Sequence, residues 1–336
     1  MNCRERAYPN MATTNPSDKP KPYRSTLWAR RVYTLALLCL FGLLLPLLSH
    51  LLADSTGTLA WLIDLTSHWQ WLFLLGLVVF TGLAYWGDKR WAVLLLALPL
   101  PWLTAFAPAP APTGEPQAAT FSVASVNVNL YSRNTQALAT WVAQEKPDVL
   151  VLLEVSPAYA AGLRTLREYP FQRIVAQDGP FGIAVLSRHP LQQIAVIEDA
   201  QGIAHIEAQL QWRGLPVGII ALHPMPPLSP HYHRVRNAKL TALAKQAASS
   251  AIPTVLAGDL NATPWSSAFS GLAQLGLRRA SGLAATWPAV LQGVLGLPID
   301  QILVSQHWAV VARQVGPQLG SDHLPVLVRL VPALEK

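Results

Sequence analysis

The stretch Gly258-Asp259-Leu260-Asn261-Ala262-Thr263-Pro264 follows a short apolar run, Ile252-Pro253-Thr254-Val255-Leu256-Ala257. That run predicts a buried strand that enters a tight turn. Asp259 and Asn261 are therefore expected at the carboxyl end of a core strand. Open α/β sheets bind their ligands at that edge. The heptad thus predicts an α/β fold with a polar site where this strand ends.

Polar residues stand at the ends of several other apolar strands in the same part of the chain. Each one alone has an ordinary explanation, as a turn former, a strand-entry residue or a core histidine with its hydrogen bonds satisfied. Buried Asp, Glu and His are costly unless they are paired, however, and a divalent-metal hydrolase needs carboxylates, amides and imidazoles together. The residues at these positions are Asn127, Glu154, His223, Asp259, Asp300, Asp322 and His323.

Residues 121–336 alternate between strand and helix signals. Helices are predicted from Asn134 or Thr135, over 157–168 and over Val235–Ala248. Few helices and frequent turns favour a two-layer β core flanked by helices. Eight strands are predicted, at 121–128, 149–153, 182–186, 205–212, 217–222, 252–257, 299–304 and 324–330.

Composition separates the chain into a soluble part and an apolar part. Hydrophobic residues make up 51% of the 336 residues and charged residues only 13%, whereas a soluble protein carries about 25% charged residues. Residues 121–336 hold 16 basic and 12 acidic residues, which is ordinary, and residues 32–120 hold two basic and four acidic ones. Neither cysteine lies after residue 120, so no disulfide and no cysteine-based zinc site is expected there.

Three apolar segments predict an N-terminal transmembrane region over 32–106. Val32–Leu52 carries no charge over 21 residues, enough to cross a bilayer core of about 30 Å. A cleaved signal peptide is the disfavoured alternative, because a long polar segment precedes this run and further apolar segments follow. Trp69–Trp86 is the second span, with aromatic residues at both ends. Trp91–Phe106 is a third span or a re-entrant segment, since it is short and contains Pro99 and Pro101.

Positive charge predicts the orientation of these spans, because basic segments stay in the cytoplasm. Residues 1–31 have a net charge of +5 and are expected to form a disordered cytoplasmic tail, and Lys89-Arg90 marks a second cytoplasmic segment. Three spans would place residues 121–336 outside the cytoplasm, whereas two spans would place them inside. Between the two parts, the Ala/Pro-rich residues 107–120 predict an extended, semi-rigid linker.

Seven segments of the soluble part together resemble, in their order, the signature blocks of the endonuclease/exonuclease/phosphatase superfamily. That superfamily includes AP endonucleases, pancreatic-type deoxyribonucleases, neutral sphingomyelinases and inositol polyphosphate 5-phosphatases. The resemblance covers about residues 121–331, and the membrane-anchored bacterial members are similar in layout. The segments are 125–129, 153–155, 182–188, 223–224, 258–264, 299–305 and 321–325.

The resemblance implies a four-layer α/β-sandwich of two facing, mainly antiparallel sheets with the site at one edge. It implies Glu154 as the main ligand of Mg²⁺ (or Mn²⁺), assisted by Asn127. A hard cation prefers such oxygen ligands, and it would polarise a phosphoryl oxygen and stabilise the leaving group.

The same resemblance implies roles for the other polar residues. His323 would act on the phosphate or on water, with Asp322 or Asp300 holding its ring, and His223 would contact the phosphate as a second imidazole. Asp259 would orient or deprotonate the attacking water, and Asn261 would bind a phosphate oxygen. The base is left open between Asp259 and the histidines.

We therefore expect a membrane-anchored, Mg²⁺-dependent hydrolase of phosphoester bonds in the inner membrane of a bacterium, with several spans and a periplasmic catalytic domain. Its partners would be the lipid bilayer and a phosphoester substrate: nucleic acid, phospholipid or a small phosphodiester. A nuclease should carry a cluster of basic residues at its site, and none stands out. The alternative is a non-catalytic, membrane-tethered binding or scaffold module on the same fold.

Further polar and aromatic residues have weaker functional signals. Arg188 could contact a phosphate, although a surface arginine is the simpler interpretation. Trp287 could stack on a substrate or simply pack. A solvated basic face is the first interpretation, and a substrate contact the alternative, for the cluster formed by His231, His233, Arg234 and Arg236.

Overall fold

The computed structural model describes residues 23–333 apart from residues 56, 106, 108–109 and 116–118, and apart from the side chains of residues 23–26. Two six-stranded sheets form its centre. In the first sheet the strand order is β11 (Trp308–Val315), β12 (Val326–Pro332), β1 (Phe121–Asn127), β2 (Val149–Leu153), β4 (Ile183–Ser187) and β3 (Phe171–Val175). In the second sheet it is β5 (Leu191–Glu198), β6 (Ala204–Trp212), β7 (Leu215–Ala221), β8 (Thr254–Asp259), β10 (Asp300–Ser305) and β9 (Leu277–Arg279). Each sheet has one parallel pair, β1 with β2 and β7 with β8, and its other pairs are antiparallel.

The strands alternate with three helices in residues 121–333. The helices are α6 (Gln136–Glu145), α7 (Pro157–Leu163) and α8 (Pro230–Ser249). The strands are β1 (Phe121–Asn127), β2 (Val149–Leu153), β3 (Phe171–Val175), β4 (Ile183–Ser187), β5 (Leu191–Glu198), β6 (Ala204–Trp212), β7 (Leu215–Ala221), β8 (Thr254–Asp259), β9 (Leu277–Arg279), β10 (Asp300–Ser305), β11 (Trp308–Val315) and β12 (Val326–Pro332).

The sheets face each other across one apolar core and carry helices on their outer faces. Alternate residues of the strands, such as Val151 of β2 and Val255 of β8, point into the shared core, as expected for a side-chain period of two. Trp141 of α6 packs with the outer face of the first sheet, and Leu243 of α8 packs with that of the second. The predicted α/β-sandwich of two mainly antiparallel sheets is confirmed.

Eight strands were predictable from apolar runs, and the four that the prediction missed are β3, β5, β9 and β11. They are the four edge strands of the two sheets. An edge strand has one unpaired side and is often short or interrupted by polar residues. Gln172 and Arg173 interrupt β3, and β9 has only three residues. β5 and β11 do contain apolar runs, at 194–197 and 308–312, which the prediction passed over.

The N-terminal region is helical, but its helices differ from the predicted spans. α1 (Tyr23–Gly42) begins inside the predicted disordered tail, and residues 1–22 of that tail lie outside the described residues. Residues 23–31 contain neither Gly nor Pro, so nothing in this stretch interrupts a helix. The chain continues through α2 (Leu45–Leu51), α3 (Thr58–Ser67) and α4 (Gln70–Gly87).

One described helix, α4, is long and apolar enough to cross a membrane, and α1 with α2 would form a second span if their 42° bend is tolerated. The predicted third span contains a 3-10 helix (Lys89–Ala97) and the short α5 (Leu100–Thr104), while Phe106 lies outside the described residues. Pro99 and Pro101 supply no backbone N–H, which prevents a continuous α-helix here.

α3 does not lie apart from the sandwich: it packs against α8 through a buried acid. The Asp64 carboxylate accepts hydrogen bonds from Arg236 Nη2 at 2.9 Å, His233 Nε2 at 3.0 Å, Ser266 Oγ at 2.9 Å and the Ser267 amide at 2.7 Å. Burial alone would raise the pKa of Asp64, but the hydrogen bond from His233 and the charge of Arg236 outweigh it and hold that pKa well below its usual range.

This contact corrects the interpretation of the basic cluster at the start of α8 as a solvated face. His231 and Arg234 are exposed, but His233 and Arg236 are buried, and Arg236 has no exposed surface. The sequence alone could not reveal this, because the partner acid of Arg236 lies 172 residues earlier in the chain.

The Ala/Pro-rich linker, residues 107–120, is not a free spacer along its whole length, because part of it pairs with the sandwich. Ala111 N donates to Arg279 O at 2.8 Å and Gly114 N donates to Val310 O at 3.0 Å, so these described linker residues pair with the edge strands β9 and β11. Edge strands present unpaired backbone groups that an extended segment can satisfy. The linker therefore holds the end of the N-terminal region against the sandwich.

We predict that Asp64→Ala lowers the free energy of unfolding of the full chain by about 3–5 kcal/mol, because it leaves the Arg236 guanidinium buried without an anion. Denaturant unfolding in detergent would measure the loss. Asp54→Ala removes an exposed acid of the same region and should change stability by less than about 0.5 kcal/mol. Equal effects of the two substitutions would show that the Asp64 contact does not hold α3 in place.

Candidate functional site

The sheet topology brings the polar strand ends to one edge of the sandwich. In the first sheet, β1 ends at Asn127, and its parallel neighbour β2 ends just before Glu154. In the second sheet, β7 ends near His223, and its parallel neighbour β8 ends at Asp259. β12 and β10 are antiparallel to β1 and β8, so the residues at their starts join the same edge. The predicted residues that come from those starts are Asp300, Asp322 and His323.

A cavity of about 430 Å³ opens at this edge, within the range of small-molecule sites. Asn127 and Asp300 are buried directly behind it and bond to residues of its wall. The other six predicted site residues line it: Glu154, His223, Asp259, Asn261, Asp322 and His323.

Asp259 lies between two imidazoles. Its Oδ2 is 3.6 Å from His223 Nε2 and 3.8 Å from His323 Nε2. His323 Nδ1 is 2.8 Å from Asp300 Oδ2, so the acid that holds this ring is Asp300. Asp322, the other predicted partner of the ring, accepts hydrogen bonds from Asn129 Nδ2 and Trp287 Nε1 instead.

The charges of this group favour a protonated His323. Burial lowers the pKa of His323, but the negative charge of Asp300, its hydrogen bond and the charge of Asp259 raise that pKa to about 10. Burial raises the pKa of Asp259, yet the adjacent His223 imidazole and the charge of His323 leave that pKa below its usual value. At neutral pH His323 is therefore a hydrogen-bond donor on both nitrogens and Asp259 is an anion.

Glu154 lies on the other side of the cavity in a network of amides. Its Oε1 accepts from Asn127 Nδ2 at 2.8 Å and its Oε2 accepts from Leu130 N at 2.9 Å. Asn127 Nδ2 also lies 3.3 Å from Asp259 Oδ2, which links the two sides. Glu154 has a φ of 60°, a left-handed conformation that costs a non-glycine residue free energy. The fold thus holds the Glu154 carboxylate in the cavity despite the conformational free energy that its backbone costs.

Two sets of residues could hold a metal ion. Ligand atoms of Asp259, Asp300 and His323 lie within 4.8 Å of one another, but His323 and Asp300 already pair, and this set includes a nitrogen. The carboxylate of Glu154 offers oxygen ligands, which suit Mg²⁺. Asn127 directs Nδ2 at Glu154 and its Oδ1 accepts from Asn129 N, so its amide would have to turn for its oxygen to join Glu154 as a ligand.

The charge balance of the cavity also fits a divalent cation. Glu154, Asp259 and Asp322 line it, and none of its described lining residues is Lys or Arg. A bound cation would offset this excess of carboxylate charge, whichever set of ligands holds it.

The structure also shows where the weaker candidates lie. Trp287 lies in the cavity wall beside His323. Arg188 is exposed, and its Nη1 lies 3.4 Å from Lys146 O at the opposite ends of the strands. Asn261 lines the cavity, but one of its amide hydrogens is donated to Pro224 O at 3.1 Å.

Residues of the N-terminal region complete the cavity, and sequence reasoning missed them. Leu65, His68 and Trp69 line it, and His68 Nδ1 is 2.8 Å from Thr263 Oγ1 of the opening heptad. Burial, with the charges of Arg236 and His233, lowers the pKa of His68 to about 4 despite the opposing charge of Asp64, so this ring is neutral. The periodicity of the sequence could not have indicated the contact between His68 and Thr263, because these residues are 195 positions apart in the chain.

Comparison with known proteins supports a common fold. The model of the endonuclease/exonuclease/phosphatase family matches residues 124–323. No curated protein matches the sequence. Among solved structures, the chain resembles an endonuclease/exonuclease/phosphatase from Beutenbergia cavernae, with 21% identity and a TM-score of 0.54 over 64% of this chain and 72% of that one.

Two other solved structures give similar values. TDP2 of D. rerio in complex with a single-strand DNA product has 16% identity and a TM-score of 0.53, covering 63% of this chain and 99% of that one. An endonuclease/exonuclease/phosphatase from Bacteroides vulgatus has 18% identity and a TM-score of 0.53, covering 64% and 100%. At these identities the likeness concerns the fold alone.

We predict that Asp300→Asn lowers the pKa of His323 from about 10, because it removes the nearest negative charge. Titration of the His323 ring by NMR would measure the shift. Asp322→Asn should lower it less, since Asp322 bonds to Trp287 and Asn129 rather than to the ring. A larger shift in Asp322→Asn would contradict the assignment.

The same ion pair gives the pH dependence of stability a definite sign. A histidine with a raised pKa contributes its full stabilisation below its ordinary pKa of 6.5, and that contribution is lost as the pH rises through about 10. Asp300→Asn should therefore reduce the loss of unfolding free energy between these two pH values, as measured by denaturant unfolding. An unchanged slope in this window would contradict the ion pair.

Proposed function

This chain belongs to the endonuclease/exonuclease/phosphatase family, and from that premise we propose that it is an Mg²⁺-dependent hydrolase of phosphoester bonds anchored in a membrane. The observation that carries the proposal is the meeting of six strand ends from two sheets at one cavity. Members of this family are typically phosphoester hydrolases that use a divalent metal. A binding or scaffold module would not need a complete set of acids and imidazoles.

Glu154, assisted by Asn127, would hold the metal ion. When bound, the ion would supply Lewis-acid stabilisation to a phosphoryl oxygen. The two amide donors to Glu154 keep both of its oxygens oriented, which positions the carboxylate before the ion arrives. Mn²⁺ would substitute, since it also accepts oxygen ligands.

The imidazoles and Asp259 would act on the phosphate and on the attacking water. A protonated His323, held by Asp300, would donate a hydrogen bond to a phosphate oxygen where negative charge develops. Asp259, as the anion between the two rings, is then the better acceptor for the proton of the water. His223, 3.6 Å from Asp259, would orient that carboxylate or bind the phosphate.

The packing of the N-terminal segments supports three membrane crossings. At one end, Gln70 Nε2 donates to Gly42 O at 3.1 Å and Thr104 Oγ1 donates to Leu43 O at 2.6 Å, which brings together the end of α1, the start of α4 and the end of α5. Beyond the other end of α4, Tyr33 in the middle of α1 stacks on Trp91 with ring centroids 4.2 Å apart. The three segments thus run side by side.

The side of the membrane follows from the sandwich. α3, just before α4, packs on α8 through Asp64. The start of α4 would therefore lie on the same side of the membrane as the sandwich, and the end of α4 would lie on the opposite side. The segment after α4 would then have to return across the bilayer to reach the linker. With the basic tail and Lys89-Arg90 in the cytoplasm, the catalytic domain would be periplasmic in a bacterial inner membrane.

We predict that Glu154→Gln lowers the Mg²⁺-dependent hydrolysis of bis-p-nitrophenyl phosphate by at least about 100-fold, because the metal loses its anionic ligand. Mn²⁺ affinity, measured by calorimetry, should fall with it. Glu168→Gln changes an exposed glutamate of the same domain and should leave both values unchanged. Wild-type rates in Glu154→Gln would refute the proposed metal site.

We predict that a cysteine at position 201 is labelled by a membrane-impermeant maleimide in intact spheroplasts, whereas a cysteine at position 89 is labelled only after lysis. Gln201→Cys and Lys89→Cys would be made in the full chain with Cys3→Ser and Cys39→Ala, and both positions are exposed. Labelling of both from the same side would contradict three crossings.

A further inference from the structure

The cavity has two chemically different parts. The acids and imidazoles of the site occupy one part, and the remainder of the wall is apolar. The apolar wall comes from the N-terminal region as well as the sandwich, and it contains Leu65, Trp69, Phe181, Pro226, Pro227 and Leu297. A phosphoester with an apolar portion would fill such a cavity, because burying that portion in an apolar wall is favourable.

An exposed apolar loop lies at the edge of this wall. Trp287 and Leu297 both line the cavity and pair with each other through their backbones, so residues 288–296 form a loop between them, which we name the rim loop. Its apolar side chains face solvent: Val290 is 65% exposed, Leu291 76%, Val294 64% and Leu295 51%. Such a group of exposed apolar residues marks an interaction surface.

Indole hydrogen bonds connect this edge of the cavity to the start of the candidate span α4. Trp71, the second residue of α4, donates from Nε1 to Gly296 O of the rim loop at 3.2 Å. Trp61 of α3 donates from Nε1 to Pro227 O of the apolar wall at 2.7 Å. Tryptophans favour the membrane–water interface, so the rim loop lies at the level where α4 would enter a bilayer.

The lining of the cavity does not suit a polymer of phosphates. Nucleic-acid sites carry Lys and Arg to offset phosphate charge, and none of the described residues that line this cavity is Lys or Arg. Leu228, a further lining residue, is 73% exposed at the cavity mouth. An apolar mouth of this kind disfavours the entry of a hydrated, highly charged strand.

We propose that the rim loop rests in the bilayer surface and that the cavity takes its substrate from the bilayer, as a lipid phosphoester whose apolar portion lies along Leu65, Trp69 and Phe181. This inference rests on the proposed hydrolase function and specifies its substrate class. Hydrolysis would form a bond from the water oxygen to phosphorus and break the bond from phosphorus to the leaving oxygen. The water proton would pass to Asp259, and the leaving oxygen would take a proton from the solvent.

The substrate class can be tested with alkyl p-nitrophenyl phosphates of two to eight carbons, which release p-nitrophenolate in a single measured step. With the full chain and Mg²⁺, kcat/KM should rise by up to about fourfold for each methylene that the wall buries. A flat series with clear hydrolysis of the shortest probe would overturn the lipid inference and leave the hydrolase function standing. No hydrolysis of any probe would overturn both.

The contact of the rim loop with lipid has a readout that does not depend on activity. An environment-sensitive fluorophore on Leu291→Cys, in the full chain with Cys3→Ser and Cys39→Ala in nanodiscs, should be quenched by lipids that carry a nitroxide on the acyl chain. Arg188→Cys is the matched control, because it is exposed at the opposite ends of the strands and should not be quenched. Equal quenching at both positions, or none at position 291, would overturn the proposed contact.

Discussion

Crowding of negative charge is the constraint on which the arrangement of the site depends. Glu154, Asp259 and Asp322 share one cavity, and Asp300 lies directly behind it. Carboxylates at such distances repel one another, so the surrounding groups must offset their charge. The protonated ring of His323 does so between Asp300 and Asp259, and the amide groups around Glu154 do so in part. A divalent cation would supply the remaining positive charge, so the proposed hydrolysis would depend on metal binding.

The buried ion pair between Asp64 and Arg236 makes the N-terminal region part of the same site. Arg236 Nη1 also donates to Asn261 O at 2.6 Å, so one guanidinium connects α3 to the turn that carries Asp259. The contact brings His68 and Trp69 to the cavity wall. The N-terminal region of this chain therefore shapes the cavity, and this joint wall is what suggests a substrate taken from a bilayer.

The sequence predicted the interior of the fold and the polar strand ends, because both follow from local patterns. β2, which is buried along its whole length, appears as the apolar run before Glu154, and the polar residue after each such run indicates the site. The edge strand β3 was missed because Gln172 and Arg173 interrupt that pattern. Contacts between Asp64 and Arg236 were missed because they join segments far apart in the chain and obey no local period.

The central claim is that a divalent cation held by Glu154 balances the charge of the cavity. Crystals of the full chain grown with Mn²⁺ would test it through anomalous scattering at the manganese edge. We predict a peak in the cavity at about 2.1 Å from an oxygen of Glu154 and its loss in Glu154→Gln. A peak held instead by Asp259, Asp300 and His323, or no peak in the cavity, would contradict it.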